Sequence, residues 1–352
     1  MLSPIKVTPF KDELLSSWIV RLALANGTDP LSLSGAIFPS QRVWSRDFDK
    51  SLNVEFLKAL SNISGIPISA LTKLTLENHL SSILTPKSKN NAVWPWVIPL
   101  AHRNRVHTNG LHFCPECLRE KNVYFKRDWR ISWNTCCTDH KLNLQLGCPK
   151  CNTAFSPHLV TYDKPDFCCC VHCGFDLRAV VQKEVDPEIV YFQGQLNRLL
   201  SDNTPEYPWK IKSKTEFFAT LNSLTSFIQK TRSSQSKHLF QYLDINDSIL
   251  NSQTSFSNSS LKERQLTVRC CFRMFSLQLD ELIKLLKDAK VFRSNLRPTL
   301  HGYSSQTIKT IKQQLPSYKT YEKPNYQKSS QEIHPRSRDE VEKLMDEIRC
   351  FL

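Results

Sequence analysis

Glycine is scarce in this chain, 8 of 352 residues, and methionine scarcer still at 3. The patterns G-x-G-x-x-G and G-x-x-x-x-G-K-[ST], whose bare backbone lets N–H groups close on phosphates, are both missing, which argues against a large nucleotide-binding α/β fold. Uninterrupted apolar runs reach only a handful of residues, against the roughly 20 that a membrane-spanning helix needs. No apolar secretory stretch opens the sequence and the cysteine total of 13 is odd, so a disulfide framework is disfavoured. A reducing, cytoplasmic setting is expected instead, where paired cysteines usually bind metal. H-E-x-x-H is absent and no histidine has glutamate two places on, which removes the metalloprotease and zinc-deaminase signatures.

Two sets of metal-ligand spacing stand in their place. Cys114-Pro-Glu-Cys117 is followed by Cys137-Thr-Asp-His140, and Cys148-Pro-Lys-Cys151 by Cys170-Val-His-Cys173. Two thiolates on a tight turn close one side of a tetrahedron, and the later C-x-x-H or C-x-x-C closes the other. The half-sites lie 19 and 18 residues apart, lengths that suit short hairpins, so we expect two zinc ribbons in series holding two structural Zn2+. Ligand choice is ambiguous by one residue at each of two places, with Cys136, Cys168, Cys169 and His172 as reserves. The two-residue spacing to His140 and Cys173 favours Cys137 and Cys170. Eight protein donors for two ions leave no position for water or substrate, so no enzyme activity is expected.

Lys and Arg number 47 against 33 acids, a net charge of +14. Polyanions are the obvious partners. Residues 1–85 hold 8 basic and 7 acidic side chains, whereas residues 291–338 hold 9 basic and 2 acidic, so the electrostatic footprint falls toward the C-terminus. Around the cysteine pairs, Arg119, Lys121, Lys126, Lys141 and Lys150 are candidates for phosphate or partner contact, with ordinary solvation as the bland alternative.

The pattern predicts a mainly α protein with small zinc-bound β hairpins, in five segments: an N-terminal helix-turn-helix-like bundle (1–85), a linker (86–111), tandem zinc ribbons (112–180), a C-terminal helical domain (181–315) and a basic tail with a short terminal helix (316–352). Asp12 can cap a helix whose apolar residues Leu14, Leu15, Trp18, Ile19, Leu22 and Ala25 end at Asn26-Gly27. Asp29-Pro30 restarts it, the stripe Phe56, Leu57, Leu60 and Ile63 stops at Gly65, and Ser69 can cap a helix through Leu71 to Leu74. Such a bundle suits a DNA reader or a protein dock equally. Trp94-Pro95-Trp96 reads as a hydrophobic plug that could alternatively stack bases.

Helical spacing recurs over 189–200, 217–228 and 261–289, with a Ser, Gln and Asn-rich loop over 232–260 around a Leu239 to Leu243 turn. Cys270 and Cys271 lack partner spacing and read as buried thiols. A helix over 302–315, capped by Ser304 or Ser305, would place Gln306, Lys309, Lys312 and Gln313 on one side, able to meet base edges or phosphates. Beyond it, Tyr318, Tyr321 and Tyr326 interleave with Lys319, Lys323 and Lys328, a mixture that suits nucleic-acid contact or a disordered tail. Glu188 to Gly194 happens to resemble a tobacco-etch-type protease site, so cleavage there would report on exposure of that junction.

Between the first half-sites, Tyr124 to Trp133 alternates so as to predict a strand with Phe125, Arg127, Trp129, Ile131 and Trp133 on one face. The order C-P-E-C-L, Y-x-x-x-x-W-R, C-x-x-H-x-x-x-L, C-P-x-C and C-x-x-C-G, running from Cys114 to Gly174, resembles the TniQ/TnsD family of transposition target-site selection proteins. The opening, with Asp12-Glu-Leu-Leu-Ser-Ser-Trp18 and Arg21-Leu-Ala23, is similar to the start of that family's N-terminal domain, and Ile66 to Leu76 to its end. The resemblance covers roughly residues 1–180. It implies a non-enzymatic adaptor that marks where a transposon inserts and passes that choice to an AAA+ ATPase, which engages the transposase. Some members read a DNA site directly, while others dimerise and dock on an RNA-guided CRISPR complex. The resemblance therefore implies as partners the ATPase, DNA, a CRISPR complex or a second copy of the chain. The alternative reading is a stand-alone, sequence-specific, zinc-containing DNA-binding protein.

Overall fold

The computed structural model describes residues 5–39, 41–89, 93–100, 102–103, 106–107, 109, 111–164, 167–202, 206–230, 236–245, 254–296, 305–317 and 337–349. The fold is mainly helical. Six helices come from the N-terminal third: α1 (Leu15–Ala25), α2 (Pro30–Ile37), α3 (Val54–Ser64), α4 (Ile68–Thr72), α5 (Leu76–His79) and α6 (Pro86–Lys89). Seven more follow the cysteine-rich centre: α7 (Pro187–Ser201), α8 (Lys214–Lys230), α9 (Ser236–Tyr242), α10 (Leu261–Ser276), α11 (Leu279–Asp288), α12 (Gln306–Gln314) and α13 (Arg338–Arg349). The one sheet among the described residues pairs β1 (His102–Arg103) antiparallel with β2 (Val106–His107), inside the segment read as linker. No described helix is long and apolar enough to cross a membrane. The chain forms two compact units, Met1–Ser317 and Tyr318–Leu352. In the second, Ser337 and Glu340 cap α13 reciprocally, each side chain meeting the other's backbone N–H. The tyrosine and lysine tract over 318–335 lies outside the described residues, as does the start of the helix expected over 302–315.

Several helix starts differ from expectation because a tertiary partner takes the capping group. Asp12 does not cap α1. Its carboxylate accepts the Tyr124 hydroxyl at 2.8 Å, and Leu14 holds the cap position with no side-chain bond. Asp29 precedes Pro30 as foreseen but accepts the Tyr162 N–H instead of one from α2. Ser69 lies inside α4, which starts after Pro67. By contrast Asn53 caps α3 at 2.9 Å from the Phe56 nitrogen, and Gly65 ends it at φ +70°, where a side chain would be strained. The stretch 261–289 is two helices, because Gln278 and Glu281 form a fresh capping box after Leu277. α1 is buried on every side over residues 15–20, Ser16 and Ser17 included, and only Arg21, Leu24 and Ala25 in its last turns reach solvent, so it offers no continuous face to a DNA groove. The helix, glycine turn, helix form belongs to α3 and α4, the second only 5 residues long.

Tyr124 to Trp133 is not a strand. A 3-10 turn over Arg127–Arg130 interrupts it, leaving isolated bridges at Lys126 and Ile131. Phe125, Trp129, Ile131 and Trp133 are all buried, but so is Arg130, which a two-residue alternation would turn outward. This segment is the hub of the first unit. On one side the opening residues are stitched to it: the Phe125 carbonyl accepts the Leu14 N–H at 2.9 Å, the Ser17 hydroxyl accepts the Phe125 N–H at 2.9 Å, and the Asp12 carbonyl accepts the Arg127 N–H at 2.8 Å. On a second side the Trp96 carbonyl accepts the Ser132 N–H at 2.8 Å, and the Trp96 ring meets Trp133 edge-on at 5.3 Å. Both tryptophans of Trp94-Pro95-Trp96 are buried plugs. On the third side the Gln193 side chain of α7 accepts from Thr135 N–H at 2.7 Å and Cys136 N–H at 3.1 Å and donates to the Cys136 carbonyl at 2.8 Å.

Arg130 fastens these layers. It is 1 % exposed, with Nη2 2.6 Å from Asp47, Nη1 3.3 Å from Asp49, and a further bond from Nη2 to the Ile98 carbonyl at 2.9 Å. Asp49 also accepts the Ser16 N–H at 2.7 Å, and burial pushes its carboxyl up to about 6 against the pull of Arg130.

Arg130→Met strands two carboxylates in the core and is expected to cost about 3–5 kcal/mol, read as a lowered urea midpoint. A loss below about 1 kcal/mol would show that the pair does not hold the layers together. Because Gln193 is 1 % exposed and clamped within α7, the tobacco-etch-type protease is expected to spare the folded chain and cut it in urea. Cleavage of the native protein at the unfolded rate would mean that α7 opens freely.

Candidate metal centres

Each half-site begins as a tight turn, and three of the four share one geometry. The N–H of the first cysteine donates to the carbonyl five residues on, and the N–H four residues on donates back to that cysteine's carbonyl: Cys137 with Leu142 and Lys141, Cys148 with Thr153 and Asn152, Cys170 with Phe175 and Gly174. The residue four on is left-handed in each, Lys141 at φ +56°, Asn152 at +57° and Gly174 at +69°. Both cysteines, or cysteine and histidine, thereby point into the same concavity. The fourth half-site differs: the Leu118 N–H donates to the Cys114 carbonyl at 3.2 Å and the chain continues into a 3-10 turn over Cys117–Arg119. The expected hairpins are reduced to isolated bridges, Phe113 with Gln145, Cys136 with Asn143 and Cys169 with Asp176.

The donor atoms of Cys114, Cys117, Cys137 and His140 lie within 4.8 Å of one another, as do those of Cys148, Cys151, Cys170 and Cys173. In the first group Cys117 Sγ is 3.6 Å from Cys137 Sγ and 3.4 Å from His140 Nδ1, while Cys114 and Cys137 each stand 3.6 Å from that nitrogen. In the second, Cys148 to Cys173 and Cys151 to Cys170 are both 3.6 Å. A tetrahedron with metal–sulfur bonds of about 2.3 Å and metal–nitrogen bonds of about 2.0 Å has sulfur–sulfur edges near 3.8 Å and sulfur–nitrogen edges near 3.5 Å. The spacing fits such a shell, and each cluster could hold one metal ion.

The reserve residues are engaged elsewhere. Cys136 Sγ donates to Gln193 at 3.3 Å, with burial pushing its thiol up to about 12, and Cys168 Sγ donates to the Leu118 carbonyl at 3.4 Å. Cys169 sits in its bridge to Asp176, and His172 is exposed. Cys270 and Cys271 are buried within α10.

Within each cluster the thiols perturb one another. Hydrogen bonds from Cys114 and then Cys117 hold Cys137 well below the usual thiol range, while those with Cys114 and then Cys137 push Cys117 well above it. Three thiols in the first centre, or four in the second, ionise together only around a cation, because each added thiolate repels the rest. In the second centre the Thr153 hydroxyl, 2.8 Å from Cys151 Sγ, leads in holding that thiol down to about 6, and burial pushes Cys148 up to about 12.

Residues beyond the ligands complete the centres. His140 presents Nδ1 to the thiols and Nε2 toward Glu120, 3.7 Å away, a carboxylate placed to orient the ring. Thr153 and Glu120 escaped the sequence reading, although each stands within three residues of a ligand cysteine, which is the available signal. Of the candidate contact residues, Arg119 is paired with Glu116 and donates to the Arg178 carbonyl at 2.5 Å, and Lys126 is paired with Asp139 at 2.7 Å. Lys121, Lys141 and Lys150 are exposed with no ion pair among the described residues. On α12 the Ser305 hydroxyl caps Ile308, Ile308 and Ile311 turn inward, Gln306, Lys309 and Gln313 are exposed and Lys312 is half-buried.

Elemental analysis is expected to find two metal ions per chain. Gly147→Ala should remove about one of them, since a Cβ there would stand 2.6 Å from the Thr153 carbonyl oxygen, the acceptor that shapes the Cys148 turn at 2.9 Å. Gly194→Ala on α7, where nothing lies within 4 Å, should keep both ions. Unchanged metal content in Gly147→Ala would refute the role of that turn.

No curated protein sequence matches the chain. The family model described as TniQ matches residues 4–144, a range that contains the whole first centre and Arg130 and stops short of Cys148. Over those residues the chain is similar to the TniQ family.

Proposed function

We propose that this protein is a non-enzymatic adaptor of DNA transposition, working in the cytosol, that helps select the target site and links a target-recognition complex to an AAA+ ATPase and its transposase. The observation that carries the reading is the pair of four-donor centres beside the hub of a TniQ domain. With Zn2+ as the ion, four protein ligands saturate each centre, so the metal shapes a surface and activates nothing. Structural Zn2+ contributes about 10–16 kcal/mol in small finger peptides, enough to hold a loop-rich segment rigid for docking. Lys121, Lys141 and Lys150 supply exposed positive charge on that segment. A CRISPR RNA-guided complex as the recognition partner, and a homodimer as the docking form, extend the same reading.

The exposed face of α12, with Gln306, Lys309 and Gln313, favours a second reading in which the chain binds a DNA sequence by itself. One experiment separates the two. The tagged full chain, incubated with the AAA+ ATPase of the same transposon or with duplex DNA, is expected to capture the ATPase and to protect no discrete DNA site. Chelation and Cys114→Ser should abolish capture. A defined footprint, with affinity falling about 10^3-fold or more between 50 and 200 mM salt as for six phosphate contacts, and no ATPase capture, would replace the adaptor with the DNA-binding reading.

A further inference from the structure

Between the Cys148 turn and the start of α10 lies a cavity of about 580 Å3, within the roughly 300–1,000 Å3 range of small-ligand sites. Ile98, Leu144 and Leu261 give it apolar wall, and Asn109, Asn152 and Ser259 give it polar atoms. Two basic side chains also line it, Arg264 at 1 % and His112 at 4 % exposure. Neither has a counter-ion among the described residues. Arg264 Nη1 donates to the Ser132 carbonyl at 3.1 Å, but its Nε finds no acceptor, and His112 Nδ1 has no hydrogen-bond partner. A buried guanidinium lacking a carboxylate is costly, and native proteins seldom leave one so.

We propose that this cavity is a carboxylate-binding site, in which Arg264 pairs with the incoming anion and His112, carrying its proton on Nδ1, donates a second hydrogen bond. The chemistry selects the class of ligand. Arg264 carries the charge: burial lowers it only to about 10, where it stays protonated. The pocket thus presents a buried positive charge on a planar fork, to which a carboxylate can pair bidentately. Its depth has the same effect. A duplex backbone cannot reach a guanidinium that is 1 % exposed, whereas a side chain, a chain terminus or a free acid can. The inference stands apart from the transposition reading and survives its failure.

The test is calorimetric titration of the metal-loaded full chain with four probes: sodium acetate, N-acetylglutamate amide, N-acetyl-leucyl-leucine and inorganic phosphate. At least one carboxylate is expected to bind saturably at one per chain, and Arg264→Gln should weaken it about tenfold or more with metal content unchanged. Leu146→Trp, at a cavity residue that is 40 % exposed, should block entry without disturbing the buried pair, and decides the matter if Arg264→Gln fails to fold. Acetate binding as tightly as the peptides assigns a free acid, and peptides binding about tenfold tighter assign a protein-borne carboxylate. The absence of saturable carboxylate binding, binding unchanged in the variants that fold, or tighter binding of phosphate would overturn the proposal.

Discussion

The ion pair from Arg130 to Asp47 and Asp49 is the constraint on which the first unit depends. Taking three charges out of water costs several kcal/mol apiece, and the cost is offset only if the geometry is kept, so the arrangement tolerates one mutual placement of the segments that supply it. Those segments are far apart in the chain. Asp47 and Asp49 come from the connection before α3, Ile98 from the stretch after the paired tryptophans, and Arg130 from the spacer inside the first metal centre. Asp49 passes the constraint on to α1 through the Ser16 N–H. Hydrophobic burial alone would let these layers slide, because it is non-directional.

The metal centres and the hub solve complementary problems. A cysteine-rich segment with scarcely any sheet among the described residues cannot stiffen itself through ladder hydrogen bonds, and a metal ion in each four-donor cluster would supply the missing rigidity from within. The hub then transfers it outward, to the opening helix through Phe125 and to the C-terminal helices through Gln193 and Arg264. The opening and the aromatic spacer, noticed separately in the sequence as marks of one family, are physical partners: Asp12 meets Tyr124, and Phe10 stacks on the same ring at 4.5 Å.

What could be read from the sequence followed the range of the interaction. Cys137 and Cys170 were distinguishable from their neighbours because a tetrahedral shell needs both donors of a half-site on one turn, a requirement met within four residues. Gly65, Asn53 and Ser305 were similarly local, although Asn53 went unremarked. Asp12, Asp29 and Ser69 had the right chemistry for caps and failed as caps, two of them because Tyr124 and Tyr162 claim their carboxylates and one because Pro67 begins the helix earlier. The strand expected over 124–133 failed because a 3-10 turn buries the same aromatic residues as an alternating strand would, and Arg130 between them as well. Arg264 and His112 were invisible to spacing: only the folded chain brings them to one cavity.

Arg119 joins the two centres, paired with Glu116 beside one and bonded through Nη2 to the Arg178 carbonyl just beyond the other. Order imposed on either side is therefore already half imposed on its neighbour. Were each cluster to take up an ion, any help that one gave the other through this side chain would be returned by the same factor.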